Sequence, residues 1–251
     1  MKMSFRHYGK SDPVTLEQIS QIPAVYSIVS ACYDTPPGEV WKRESIQEIK
    51  NDANRHGLAF EVVESVPVPE DIKLGAKNSP QLIDNFCENI RRLSQAGVRC
   101  ICYNFMPVFD WLRSELERPM PDGSNSLAYD EKTVLSMDPR KGDLALPGWD
   151  QSYTKDQLGQ LLKKYEDIDE EKLFSNLGYF LEAVIPVAHE CKVNMAIHPD
   201  DPPWGMFGLA NMFDFLNEVK QITPELKVAG IVVTKVDTRK NYFKQTMETL
   251  R

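Results

Sequence analysis

Long apolar runs are missing from this sequence, and so is any excess of basic charge. No stretch reaches the ~20 apolar residues a bilayer-spanning helix needs, which predicts no membrane segment. The opening residues, Met1-Lys2-Met3-Ser4-Phe5-Arg6, carry no secretory h-region. Lys and Arg number 29 against 37 Asp and Glu, for a net charge of −8. A phosphate-backbone binder needs a basic face, so nucleic acid is not an expected partner. There is no G-x-x-x-x-G-K-[ST] loop and no glycine-rich turn after the first expected strand, which removes a nucleotide-binding open sheet. Cysteine is scarce and odd in number: Cys32, Cys87, Cys100, Cys102 and Cys191 sit mostly in apolar runs. That usage fits reduced thiols in a cytoplasmic protein better than a disulfide framework. Cys100 and Cys102 are expected to point to opposite faces of a strand and to serve as packing residues.

What is present is enough for a core: 42% of the 251 residues are hydrophobic. Strand-like runs, short and rich in β-branched or aromatic residues, are expected at Met3–Tyr8, Ala24–Ser30, Leu58–Ser65, Val98–Phe105 and Val193–His198. Between them lie helical patterns. Glu44–Arg55 stops at Gly57, and Pro80–Ala96 carries Leu82, Ile83, Phe86, Ile90 and Leu93 at helical spacing before Gly97. Asp169–Cys191 follows, with Pro186 expected to bend it. Alternating strands and helices with right-handed crossovers build a parallel sheet with helices outside. The fold class predicted is α/β, of the (β/α)8 TIM-barrel type.

In a barrel, chemistry gathers at the C-terminal ends of the strands. Arg6, Tyr8, Glu64, Tyr103, Asn104, His198 and Asp200 all fall at or just past expected strand ends. The connection from Met106 to Trp149 is long enough to be a lid. It contains Asp122-Gly123-Ser124, the signature of a turn between two short strands. Its aromatic residues Phe109, Trp111, Tyr129 and Trp149 favour a packed lid over the barrel mouth, more mobile than the strands it joins.

The densest signal is Met195-Ala196-Ile197-His198-Pro199-Asp200-Asp201-Pro202-Pro203-Trp204. An apolar strand ends on a histidine, and two carboxylates follow in a loop that prolines stiffen. Such an arrangement can present a metal ligand, His198, beside an acid/base carboxylate, Asp200. A single histidine is not a metal site, so further ligands must come from elsewhere in the fold.

The IHPDDPPW segment resembles the mannonate dehydratases, the sugar-acid lyases of hexuronate breakdown. Similar matches are Phe5-Arg6-His7-Tyr8-Gly9, Pro37-Gly38-Glu39-Val40-Trp41, Glu64-Ser65-Val66, Cys102-Tyr103-Asn104-Phe105, Pro107-Val108-Phe109-Asp110-Trp111 and Leu146-Pro147-Gly148-Trp149. They run in the family's order over residues 1–209. The resemblance implies a xylose-isomerase-like barrel and dehydration of D-mannonate to 2-keto-3-deoxy-D-gluconate with Mn2+ or Fe2+. It further implies a small sugar acid as partner, with a homo-oligomer allowed. On that reading His198 is the metal ligand and Asp200 the catalytic acid/base group. Arg6, Tyr8, Glu64, Tyr103 and Asn104 bind substrate. Arg6 and Arg113 are the cations available to an anionic aldonate.

Family members are implied to complete the metal site with a Cys, a second His and an Asp from later strands. After Asp201 this sequence has no His and no Cys, and its only later aspartates are Asp214 and Asp237. The barrel is therefore expected to be incomplete at its C-terminal side, and the chain truncated and catalytically impaired. Residues 210–251 are expected to be a foreign strand-helix tail. Pro224 to Tyr242 resembles an internal segment of ParA-type partition ATPases, without their phosphate loop. Two other readings stand beside the dehydratase. One is another metal-dependent isomerase or lyase of the xylose-isomerase-like barrels, with Glu64 and His198 as joint ligands. The other is a non-catalytic fusion remnant.

Overall fold

A computed structural model describes residues 2–109, 113–137, 153–198 and Leu209. Asp200, the 110–112 and 138–149 parts of the expected lid, and the whole 210–251 tail lie outside the described residues.

All five expected strands form, each slightly shorter than its sequence run. They are β1 (Met3–Arg6), β2 (Val25–Ser30), β3 (Ala59–Glu64), β4 (Cys100–Tyr103) and, later in the chain, β7 (Asn194–Ile197). They make one parallel sheet in the order β1-β2-β3-β4-β7. The described strands therefore follow one another in chain order, without the reversal of a doubly wound sheet. Closure into a barrel is not seen among the described residues.

The connecting helices are α1 (Leu16–Ser20), α2 (Arg43–Arg55), α3 (Glu70–Lys73), α4 (Ser79–Gln95), α5 (Glu131–Ser136), α6 (Lys155–Lys164) and α7 (Glu170–Glu190). The long ones, α2, α4 and α7, match the expected periodic stretches to within a residue or two at each end. The short ones hold too few turns for a period to show, although α1 and α6 open on capping boxes at Thr15 and Thr154. In α7 the Asp169 side chain accepts from the Lys172 N–H, and the helix runs on through Pro186.

Three helix-to-strand junctions share one geometry. After α2, Gly57 takes φ +72°, and Leu58 N–H reaches back 3.0 Å to the Ala53 carbonyl. After α4, Gly97 takes φ +97°, and Val98 N–H bonds the Leu93 carbonyl at 3.0 Å. These bonds satisfy carbonyls that a helix end leaves orphaned. After α7 the same bond runs from Val193 N–H to the Ala188 carbonyl at 2.9 Å, but Lys192 holds the left-handed position, at φ +56°.

The main core lies between the sheet and its helices. Ile28, Phe60, Val63 and Ile101 from the strands meet Ile83, Phe86 and Ile90 of α4 and Leu173, Leu177 and Phe180 of α7. Phe180 is fully buried and sits edge-on to Phe86 at 5.0 Å between ring centroids. A second, smaller cluster joins Val108 and Phe109 to Val134 of α5 and to Leu161, Leu162 and Tyr165 around α6. The long connection after β4 therefore begins as core, with Met106, Val108 and Phe109 buried. Further on it forms the expected hairpin, β5 (Glu115–Pro119) antiparallel to β6 (Asn125–Ala128). Gly123 turns at φ +82°, and the Asp122 carboxylate accepts from the Ser124 N–H and hydroxyl.

Candidate functional site

Because the five strands are parallel, their C-terminal ends share one edge of the sheet. Arg6 closes β1, Glu64 closes β3, Tyr103 closes β4, and His198 follows β7. Side chains alternate between the two faces, so only every second residue can meet on the face away from the helices. Register places Glu64 beside Cys102 and Cys102 beside Ala196, with His198 two residues further along that row.

On this face Arg6 Nη1 lies 2.7 Å from Glu64 Oε2, reaching across the intervening β2. Both side chains are about a quarter exposed, at 26% and 22%. The Arg6 guanidinium also lies 4.9 Å from the centroid of the Tyr8 ring, within cation–π range. Tyr8 is exposed and tilts against Tyr33 at 6.1 Å. Burial opposes the charge on Arg6, but Tyr33 and Glu64 outweigh it and hold the guanidinium above its ordinary range. The backbone beneath is pinned. The His7 carbonyl accepts from Ser30 Oγ at 2.8 Å and from the Tyr33 hydroxyl at 3.2 Å, and Asp12 accepts from the Tyr8 N–H at 2.7 Å.

Tyr33 belongs to this group and escaped the reading of the sequence. Its one available signal was position, just past the end of β2 on the same edge. His7 is beside it, and burial lowers the pKa of its imidazole against the opposing pull of Asp12 and Asp52.

Two expectations need correction. Tyr103 stands at a strand end, but its ring enters the helical core: it is 4% exposed and lies 5.7 Å from the Phe180 ring centroid. Alternation turns it away from the Arg6–Glu64 face, and burial pushes its hydroxyl pKa well up. Cys100 and Cys102 do not point to opposite faces. Residues two apart on a strand share a face, and the neighbouring Cys102 thiol lowers the pKa of Cys100 against the opposing effect of burial. Its neighbour Cys100, with burial, drives the Cys102 thiol up.

Asn104 and Arg113 are half-buried, Asn104 just beyond β4, and both are engaged in interactions. His198 is half-buried, and its backbone N–H donates to the Tyr103 carbonyl at 2.7 Å, continuing the β4–β7 ladder. Asp200 lies outside the described residues. Among the described residues no group of three His, Cys, Asp or Glu side chains comes together as metal ligands. His198 thus lies on the same edge of the sheet as Arg6 and Glu64. The residues the structure does bring together are Arg6, Tyr8, Tyr33 and Glu64. They make a cation with aromatic flanks and a carboxylate, suited to an anionic, hydroxyl-bearing molecule. No helix among the described residues is long and apolar enough to cross a membrane.

Comparison with known proteins is specific. The D-mannonate dehydratase (UxuA) family model matches residues 1–234, past the expected limit at 209. Mannonate dehydratase from Streptococcus uberis is 52% identical over 221 residues, covering 88% of this chain and 64% of the relative. That from Oceanobacillus iheyensis is 51% identical over 209 residues, covering 83% of this chain and 60% of the relative. The crystal structure of mannonate dehydratase from Streptococcus suis serotype 2 superposes with a TM-score of 0.80 at 44% identity. It is matched over 92% of this chain and 63% of its own. The chain thus spans somewhat less than two thirds of the length of these relatives.

Proposed function

The chain belongs to the D-mannonate dehydratase (UxuA) family, and on that basis we propose that it acts on D-mannonate, releasing water to give 2-keto-3-deoxy-D-gluconate in hexuronate breakdown. The family match over residues 1–234 carries this reading, and the Arg6–Glu64 edge supports it. Dehydration removes a proton from the carbon beside the carboxylate and expels hydroxide from the next carbon. The resulting enol then tautomerises to the keto acid. The negative charge that builds on the carboxylate side needs a fixed cation, and Arg6 supplies one on this face. Tyr8, Tyr33 and Asn104, at the same edge, are our candidates to meet sugar hydroxyls. Asp200 is our candidate for the acid/base group.

Mn2+ or Fe2+ is the cofactor this reading implies, with His198 its ligand in this chain. The described residues do not assemble three ligand groups. Glu64 and His198 share a face, which also favours a second reading as another metal-dependent lyase or isomerase of the xylose-isomerase-like barrels. We take the sequential parallel sheet as the first five strands of such a barrel. Residues 210–234 fall inside the family match, so we read them as continuing the same unit. The segment that resembles partition ATPases, Pro224 to Tyr242, overlaps the family match as far as residue 234. A cytoplasmic location is part of the reading, supported by five free thiols.

The test is a keto-deoxy acid assay of the purified protein with D-mannonate and Mn2+, run beside a thermal-shift titration. D-mannonate should stabilise the protein, and Arg6→Met should remove that shift. 2-Keto-3-deoxy-D-gluconate should form from D-mannonate in that assay. Neither shift nor product would overturn the assignment; product from an aldose but not from D-mannonate would favour the isomerase reading.

A further inference from the structure

Away from the Arg6–Glu64 face, α3 carries a charge pair, buried at Lys73 and partly buried at Glu70, that the chemistry above does not use. Lys73 is 3% exposed, and its Nζ donates to Glu70 Oε1 at 2.6 Å and to the Met106 carbonyl at 2.8 Å. The other Glu70 oxygen, Oε2, accepts from the Tyr165 hydroxyl at 2.5 Å and from the Val108 N–H at 3.2 Å. Tyr165 is itself buried. Burial and the neighbouring Glu70 charge push its pKa far up, so it keeps its proton and donates. The Lys73 carbonyl accepts from Asn176 Nδ2 of α7 at 2.8 Å, tying the turn to the main core.

Two of these bonds hold the backbone just after β4, Lys73 Nζ on the Met106 carbonyl and Glu70 on the Val108 N–H, and the Tyr165 and Lys73 bonds to Glu70 fix the carboxylate that does so. That backbone is costly to hold, because Val108 takes φ +62°, a conformation β-branched residues avoid. Its side chain is 1% exposed and belongs to the second hydrophobic cluster. The strained residue thus has its N–H fixed by Glu70, while the carbonyl two residues before it is fixed by Lys73. A buried ion pair is weak support for stability alone, since desolvation offsets its attraction, but it specifies geometry well when every polar atom is paired.

We infer that Glu70, Lys73 and Tyr165 are positioning residues: together they set the path of Met106–Val108, seat the second cluster on the sheet, and so fix where Asn104 stands at the mouth. The inference rests on the proposed site only in that Asn104 belongs to it. The geometry of the network stands whether or not the protein dehydrates D-mannonate.

Hydrogen exchange tests this without any turnover. Tyr165→Phe removes one hydroxyl and leaves the ring in place. It should speed exchange of the Phe105, Met106 and Val108 amides about tenfold or more, with Ile101 and Leu93 unchanged. Lys73→Met should do the same by leaving the partly buried Glu70 charge without its cation. Adding Glu70→Gln to Lys73→Met removes that charge and keeps an acceptor for Val108 and Tyr165, so protection at Val108 should return. Exchange at 105–108 that stays at the wild-type rate in both single variants would overturn the inference. So would a rise matched at Ile101 and Leu93, which is general loosening, or a double variant no better protected than Lys73→Met. Failure of D-mannonate turnover in the wild-type protein would count against the proposed function and leave this result intact.

Discussion

Arg6 and Glu64 meet at 2.7 Å across a strand that belongs to neither of them. Arg6 ends β1 and Glu64 ends β3, so their contact passes over β2 near Val29, the registered neighbour of Arg6. Two charges are thereby held about a quarter exposed, on the face opposite the hydrophobic core. A pair in that setting lies between an exposed ion pair, worth at most about 1 kcal/mol, and a buried one that costs about 3–5 kcal/mol to break from one side.

Glu64→Gln should therefore destabilise the protein by about 1–2 kcal/mol, and Arg6→Met by a similar amount. In the double variant the losses should fall short of their sum, with a coupling of about 1 kcal/mol. Urea denaturation of the four proteins measures this. Additive losses would mean that the pair does not interact in solution.

The sheet was legible because each strand is a short β-branched or aromatic run and two of the long helices stop at a glycine. Gly57 and Gly97 mark those stops with positive φ, and Leu58 and Val98 begin the next run at once. Side-chain direction was harder to read. Tyr103 sits at a strand end like Glu64, yet the shift of one residue against Cys102 turns it into the core. Tyr33 lies in a loop with no motif around it and is linked to Arg6 only by the fold. The Glu70–Tyr165 bond joins residues 95 apart in sequence, and no local pattern encodes such a contact. His198 was read from its motif, and the structure adds its register on β7.

At the end of α7 the sequence departs from its own pattern. Lys192 is exposed and occupies the left-handed position that glycine holds after α2 and α4. A lysine there strains its backbone, while glycine gains more freedom in the unfolded chain, so the two effects partly oppose. Lys192→Gly should stabilise the protein by about 0.5–1 kcal/mol, read as a higher denaturation midpoint at unchanged slope. A lower midpoint would show that the lysine is not strained there.

Asn89 of α4 is buried at 3% exposure and holds the loop before α2. Its Oδ1 accepts from the Trp41 N–H at 2.7 Å, and its Nδ2 donates to the Glu39 carbonyl at 3.0 Å. Trp41 itself is 1% exposed. Asn89→Ala strands both backbone groups away from water, at about 1–3 kcal/mol each. The total loss should be about 2–4 kcal/mol, and Trp fluorescence should report the change in the surroundings of Trp41. Asn89→Asp keeps only the acceptor and should fall between alanine and wild type.

The thiols separate by environment rather than by number. Cys100 is half-buried and its neighbour Cys102 lowers its pKa, whereas burial pushes Cys32 up to about 12. The thiolate is the reactive form, and it gains population as pH rises through the pKa. Alkylation of Cys100 by iodoacetamide should therefore climb with pH, with a midpoint below the ordinary thiol value of about 8.5. Cys32 should stay unmodified over the same rise. Removing the neighbouring thiol in Cys102→Ala should move the Cys100 midpoint up toward the ordinary thiol value of about 8.5. Peptide mass spectrometry after timed alkylation gives each midpoint separately. An unshifted Cys100 midpoint in Cys102→Ala would show that something other than the neighbouring thiol sets its acidity.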